Sequence, residues 1–189
     1  MKNISLFAGA WILGMGIASP VLAGTDSVNM TFESVIEAGT CTAQIKNTAG
    51  AAINELNFGT VYKSDLVNKS RVEPFRLVFS NCSGVVKAKY TARPSTGSGC
   101  SGPNSNGPSF SGPGGEGKAK AVAVELWKGQ QDSGTALDCN ALPQQDATIS
   151  GGGASVDMNA RMVIAYQRNI SDVEAGSTEI PVTFAVTYE

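Results

Sequence analysis

Four cysteines carry the most definite chemistry in this chain: Cys41, Cys82, Cys100 and Cys139. Their number is even, none lies in a C-x-x-C pair, and the sequence has no histidine. A zinc site or thioredoxin-like centre therefore lacks its residues, whereas two disulfides, in any of three pairings, suit an oxidising compartment. The missing histidine also excludes Ser-His-Asp and Cys-His constellations and removes the commonest general base near neutral pH. The 16 acidic residues are scattered singly through strand-like and turn-like stretches, as on a solvated surface. Gly151–Gly153 reads as a turn, and no P-loop glycine spacing with Lys-Ser/Thr is present. The sequence thus predicts no catalytic residue, no metal and no cofactor.

The oxidising compartment agrees with the start of the chain. Met1-Lys2-Asn3 is followed by an uncharged, mainly apolar run and then by Val21-Leu22-Ala23, which satisfies the small-residue cleavage rule. Residues 1–23 are read as a signal peptide cut between Ala23 and Gly24. The absence of a cysteine after the apolar run argues against a lipid anchor. What remains, residues 24–189, has the length of one domain. Lys2 is the only charged residue removed, so 14 basic residues become 13 against 16 acidic, a net charge of about −3. A nucleic-acid partner, which needs a basic surfeit, is not expected.

These residues must be positioned by strands. Val28, Met30, Phe32, Ser34 and Ile36 alternate with mostly polar neighbours, and so do Phe75, Leu77 and Phe79 in "EPFRLVFSNC". "AAINELNFGTV" reads as a further strand, with Ile53, Leu56, Phe58 and Val61 around a bulge or turn at Gly59. "VVKAKYTA", "AKAVAVELWKG" and "ASVDMNARMVIAYQ" follow, and the chain ends on Ile180, Val182, Phe184, Val186 and Tyr188 alternating with lighter residues. Seven or more short strands separated by Gly, Pro, Asn, Asp and Ser clusters make an all-β sandwich. Trp127 and Tyr166 fall in strand-like runs and read as core or interface residues. Pro94 to Gly117, with 8 Gly, 4 Pro and 6 Ser, reads as a long exposed loop pinned near its start by Cys100. It is either a tolerated insertion or a surface that meets a receptor, with Phe110 as its one large apolar residue.

Three stretches together resemble the subunits of chaperone–usher pili, the type 1 and P fimbrial family. "VNMTFESVIEAGTC" is similar to the family's N-terminal extension leading into the first cysteine, and "FRLVFSNC" to the strand bearing the second. "AGSTEIPVTFAVTYE" resembles the C-terminal motif, with Tyr188 penultimate and Gly176 fourteenth from the end. "LNFGTV" and "VAVELWKG" also fit, so the resemblance spans residues 24–189 in order.

The resemblance implies an incomplete immunoglobulin-like β-sandwich lacking its last strand, completed by donor-strand complementation. It divides the exported chain into a donor extension, residues 24–37, and a pilin domain, residues 38–189. Val28, Met30, Phe32, Ser34 and Ile36 would form the inserting face, with Ser34 standing where many family donors carry Gly. The alternative for these residues is an ordinary first strand of their own domain. Gly176, Ile180, Val182, Phe184, Val186 and Tyr188 would form the acceptor edge, which also docks the chaperone. Cys41 and Cys82 match the family's usual disulfide, leaving Cys100 and Cys139 for a second bridge. The implied function is a structural subunit, minor or adapter, of a cell-surface fimbrium that supports adhesion. Its implied partners are a periplasmic pilus chaperone, an outer-membrane usher and neighbouring subunits. The alternative is a polymeric adhesin whose 94–117 loop binds a host glycan or protein receptor.

Overall fold

Phe75, Leu77 and Phe79 alternate with the half-buried or exposed Arg76, Val78 and Ser80 along a twelve-residue strand whose apolar side is almost fully covered. In the computed structural model, which describes Ser34 and residues 37–189, ten strands follow in chain order. They are β1 Thr40–Lys46, β2 Val72–Ser83, β3 Lys87–Pro94, β4 Gly99–Cys100, β5 Phe110–Ser111, β6 Val122–Lys128, β7 Thr135–Ala136, β8 Gln145–Thr148, β9 Ala154–Ile164 and β10 Val182–Tyr188. The larger sheet runs β1-β2-β9-β6-β5-β4, with β7 paired to β6; the smaller runs β10-β3-β8. All named strand pairs are antiparallel. Their inward faces meet in one core containing Phe75, Leu77, Phe79, Tyr90, Leu126, Met158 and Met162. This is an all-β, immunoglobulin-like sandwich.

Two stretches depart from the sequence expectation. Residues 51–61 do not form a strand beyond a single bridge between Lys46 and Ala52. Instead Asn57 Oδ1 accepts from the Gly59 amide at 2.7 Å, Gly59 takes φ 62°, and the Arg71 guanidinium donates to the Phe58 carbonyl. The segment is an irregular cover whose Leu56, Phe58 and Val61 pack on the core edge. Beyond it lies a short helix, α1 Lys63–Asn68, begun by Asp65 Oδ2 accepting from the Tyr62 amide and ended by Lys69 at φ 51°.

The Pro94–Gly117 segment is not a wholly exposed loop. Phe110 is 0% exposed and stands opposite Val124 of β6, while Cys100 pairs with Phe110 across β4 and β5. Ser101 and Ser109, both buried, share a hydroxyl hydrogen bond of 2.6 Å. Gly107 fits here because an added Cβ would lie 2.4 Å from Tyr166 Cβ and 2.6 Å from the Ser101 carbonyl oxygen. One aromatic ring, a disulfide and close-packed glycines order a composition that otherwise favours solvent. Residues 96–97, 103–106, 108 and 113–117 stay on the surface.

Candidate functional site: the free edge of the C-terminal strand

β10 lies at one edge of the smaller sheet and pairs with β3 in a continuous register from Val182 opposite Pro94 to Tyr188 opposite Ala88. Glu189 and Lys87 exchange both backbone hydrogen bonds, at 2.8 and 3.0 Å. Alternation along an antiparallel ladder then turns the N–H and C=O groups of Thr183, Ala185 and Thr187 toward β3. Those of Val182, Phe184, Val186 and Tyr188 point away from it. Among the described residues no strand lies on that side of β10.

The same four residues face the core with their side chains. Ala88, Tyr90 and Ala92 opposite them on β3 are buried, but Val182, Phe184, Val186 and Tyr188 are only half-buried. Phe184 meets Phe75 edge-on at 6.2 Å between centroids and tilts against Tyr90 at 6.5 Å. Across the gap lies β1, the edge of the larger sheet, whose inward Cys41 and Ile45 are likewise half-buried. Its register shifts between Thr40 and Thr42, and Tyr188 Oη donates to the Cys41 carbonyl at 3.2 Å. Two sheet edges thus flank an apolar trough with half-covered walls. Separately, a cleft of about 660 Å³ lies between residues 55–62 and 173–178, with Leu56, Phe58, Leu66 and Val173 in its wall.

Gly176 and Ile180 precede β10 rather than lying in it. Gly176 packs against the segment before β6, where a Cβ would sit 2.5 Å from the Ala119 nitrogen. Ile180 is half-buried on the core edge. Of the candidate donor residues, Val28, Met30, Phe32 and Ile36 lie outside the described residues, and Ser34 is exposed and outside any strand. Cys41 is bridged to Cys82, and Cys100 to Cys139. Closing loops of 41 and 39 residues contributes roughly 4 kcal/mol apiece in the chain-entropy model.

The charges here hold the strand end and the outer face rather than a reaction centre. Lys89 Nζ meets Glu189 Oε1 at 2.5 Å, and that hydrogen bond raises the lysine's pKa. Burial pushes the Tyr90 phenol up to about 12, and its buried hydroxyl has no hydrogen-bond partner among the described residues. On the outer face of the larger sheet, the Arg161 side chain is only 3% exposed. It donates to Glu125 at 2.6 Å and to both oxygens of Asp132, and lies 5.8 Å from the Trp127 ring centroid. The Asp132 carboxyl is held below its usual range, chiefly by the hydrogen bond from Arg161. Sequence reading missed this cluster because its members lie on two strands and a turn. The alternation of β6 and β9 was the one available signal, since it places Glu125, Trp127 and Arg161 on the solvent side.

No family profile matches the chain. It is 35% identical over 173 residues to the uncharacterized fimbrial-like protein YadL of Escherichia coli (strain K12), covering 88% of this chain and 86% of that one. Among solved structures, the P pilus rod subunit PapA superposes with a TM-score of 0.53 at 16% identity, over 85% of this chain and all of PapA. The likeness to the CupB6 tip adhesin from Pseudomonas aeruginosa has a TM-score of 0.45 at 16% identity and takes in 61% of this chain but 30% of that one. With the sandwich in common with a pilus subunit and a fimbrial-like relative along nearly its whole length, the chain belongs to the fimbrial subunit family that its cysteine and terminal motifs resemble.

Proposed function

We propose that this protein is a non-catalytic structural subunit, minor or adapter, of a chaperone–usher fimbrium that polymerises by donor-strand exchange. Residues 1–23 direct export, residues 24–37 are the donor extension, and residues 38–189 form the acceptor domain. In the periplasm a chaperone strand covers the edge of β10; at the outer-membrane usher the extension of a neighbouring subunit replaces it. Adding a strand to a sheet edge supplies backbone hydrogen bonds, and alternate side chains filling pockets supply selectivity.

The observation that carries this reading is the contrast across one ladder. Val182, Phe184, Val186 and Tyr188 are half-buried with edge-facing backbone groups, whereas Ala88, Tyr90 and Ala92 beside them are fully covered. A long apolar edge left open is an aggregation hazard, so a partner strand is expected there. The receptor-binding alternative loses its apolar anchor, because Phe110 is in the core.

The test is deletion of residues 24–36 in a strain expressing chaperone, usher and neighbouring subunits. The shortened chain should still be recovered bound to the chaperone and should enter growing fibres only as a terminal unit. Recovery of the shortened chain free of chaperone, or at internal fibre positions, contradicts the proposal.

A further inference from the structure

The two ends of the sandwich differ, and the chain leaves from only one of them. β1 starts at Thr40 opposite Ser83, and Gly39 is pressed against the turn after β2, where a Cβ would lie 2.4 Å from the Gly84 carbonyl oxygen. β10 finishes at this exit end, with the Glu189 carbonyl accepting from Val86 at 2.8 Å. The Val86 side chain stands 71% exposed there. The far end holds the starts of β2 and β10, helix α1 and the 55–62 segment, with Tyr62 67% and Val67 56% exposed. A seven-residue strand, roughly 23 Å, separates the two ends.

Chain length restricts how two copies can sit. If Ile36 is the last inserted side chain, only residues 37–39 connect it to β1 of its own domain. From Ile36 to Thr40 is four residue steps, which extended span at most about 14 Å. The exit end of the donating copy is therefore held against the mouth of the groove it fills. An insertion parallel to β10 would bring exit end to exit end, a self-complementary arrangement that closes as a pair. An open fibre needs unlike ends to meet, which requires insertion antiparallel to β10 with the donor entering beside Val182.

We infer that, resting on the strand-exchange reading, consecutive copies also touch body to body, with Val86 of the donating copy seated on the Tyr62–Val67 surface beside α1 of the receiving copy. The short tether makes this contact effectively intramolecular, so a small apolar patch suffices to fix the angle between successive subunits. Among the described residues nothing covers Val86, Tyr62 or Val67, and the second copy is the partner that the tether delivers to them.

All native cysteines are bridged, so introduced thiols are the only free ones. The experiment makes Val86→Cys with Val67→Cys, Val86→Cys with Tyr62→Cys, and each single variant, in fibres assembled from the full chain. The fibres are treated with a short bis-maleimide. Strand insertion is read separately as oligomers that survive unheated detergent. The expected result is a covalent ladder containing most of the protein from each double variant and no cross-linked dimer from any single variant. A cross-linked dimer from Val86→Cys alone places exit ends together and overturns the inference. Detergent-resistant oligomers without a covalent ladder overturn the contact while leaving strand exchange standing. Failure to form detergent-resistant oligomers overturns strand exchange and the contact with it.

Discussion

Appending residues 25–37, "TDSVNMTFESVIE", after a short flexible linker at Glu189 should close the trough beside β10 within one molecule. Linking makes insertion intramolecular at high effective concentration. The matched control carries Met30→Ser and Phe32→Ser in the appended copy only. Tail length and most of the ordering entropy are common to both chains, so they largely cancel in the comparison. Two large side chains entering the half-covered wall formed by Val182, Phe184 and Val186 are worth about 1.5–3 kcal/mol each, or roughly 3–6 kcal/mol together. At about 2–4 °C per kcal/mol for a domain of this size, the melting temperatures should differ by roughly 6–24 °C. The assay is thermal unfolding of both purified monomers followed by circular dichroism. Equal melting temperatures would refute the reasoning, because a sandwich already complete on its own has no place for either side chain.

Other substitutions test the packing. Phe110→Ala should cost about 3–5 kcal/mol in urea unfolding, as for a fully buried ring; a loss under 0.5 kcal/mol would return the 94–117 segment to the surface. Tyr90→Phe should leave stability unchanged or raise it, because it removes a buried hydroxyl with no partner among the described residues, whose desolvation costs about 1–3 kcal/mol. A clear loss would reveal a partner for that hydroxyl. Asp132 titrates below its usual value in the folded chain, so its contribution is fully present above the ordinary aspartate value near 4 and is lost as pH falls through the lowered folded value. Asp132→Asn should therefore destabilise at pH 6 and converge with the parent chain in acid; a gap that widens on acidification contradicts the Arg161 assignment.

Where a strand is long and one face is covered, its residues announced it. Phe75, Leu77 and Phe79 of β2, the alternation of β6 and β9, and the final run of β10 all read directly from period two. β1 was missed because it is a half-covered edge strand with Cys41 and Ile45 as its inward apolar residues. Residues 51–61 looked like a strand because Ile53, Leu56, Phe58 and Val61 are apolar, yet their spacing of three, two and three suits an irregular cover anchored by Arg71. Phe110 was misplaced for the opposite reason: Gly, Ser and Pro dominate its surroundings, and its burial depends on β6 and a disulfide distant in sequence. The alternation of Val182, Phe184, Val186 and Tyr188 was visible as a pattern, but their incomplete coverage is a tertiary fact that no local pattern contains. Gly176 drew notice as part of a motif, while its physical constraint is the backbone of Lys118 and Ala119 packed against it.

The central claim is that one row of β10 backbone groups waits for a strand supplied from outside the domain. Residue-resolved amide exchange on the self-complemented chain and its Met30→Ser, Phe32→Ser control measures that row directly. In the control, Thr183, Ala185 and Thr187, which donate toward β3, should exchange slowly, whereas Phe184, Val186 and Tyr188 should exchange fast. With the intact appended strand seated, the two sets should become equally slow. Protection of Phe184, Val186 and Tyr188 in both chains, or in neither, would contradict the account.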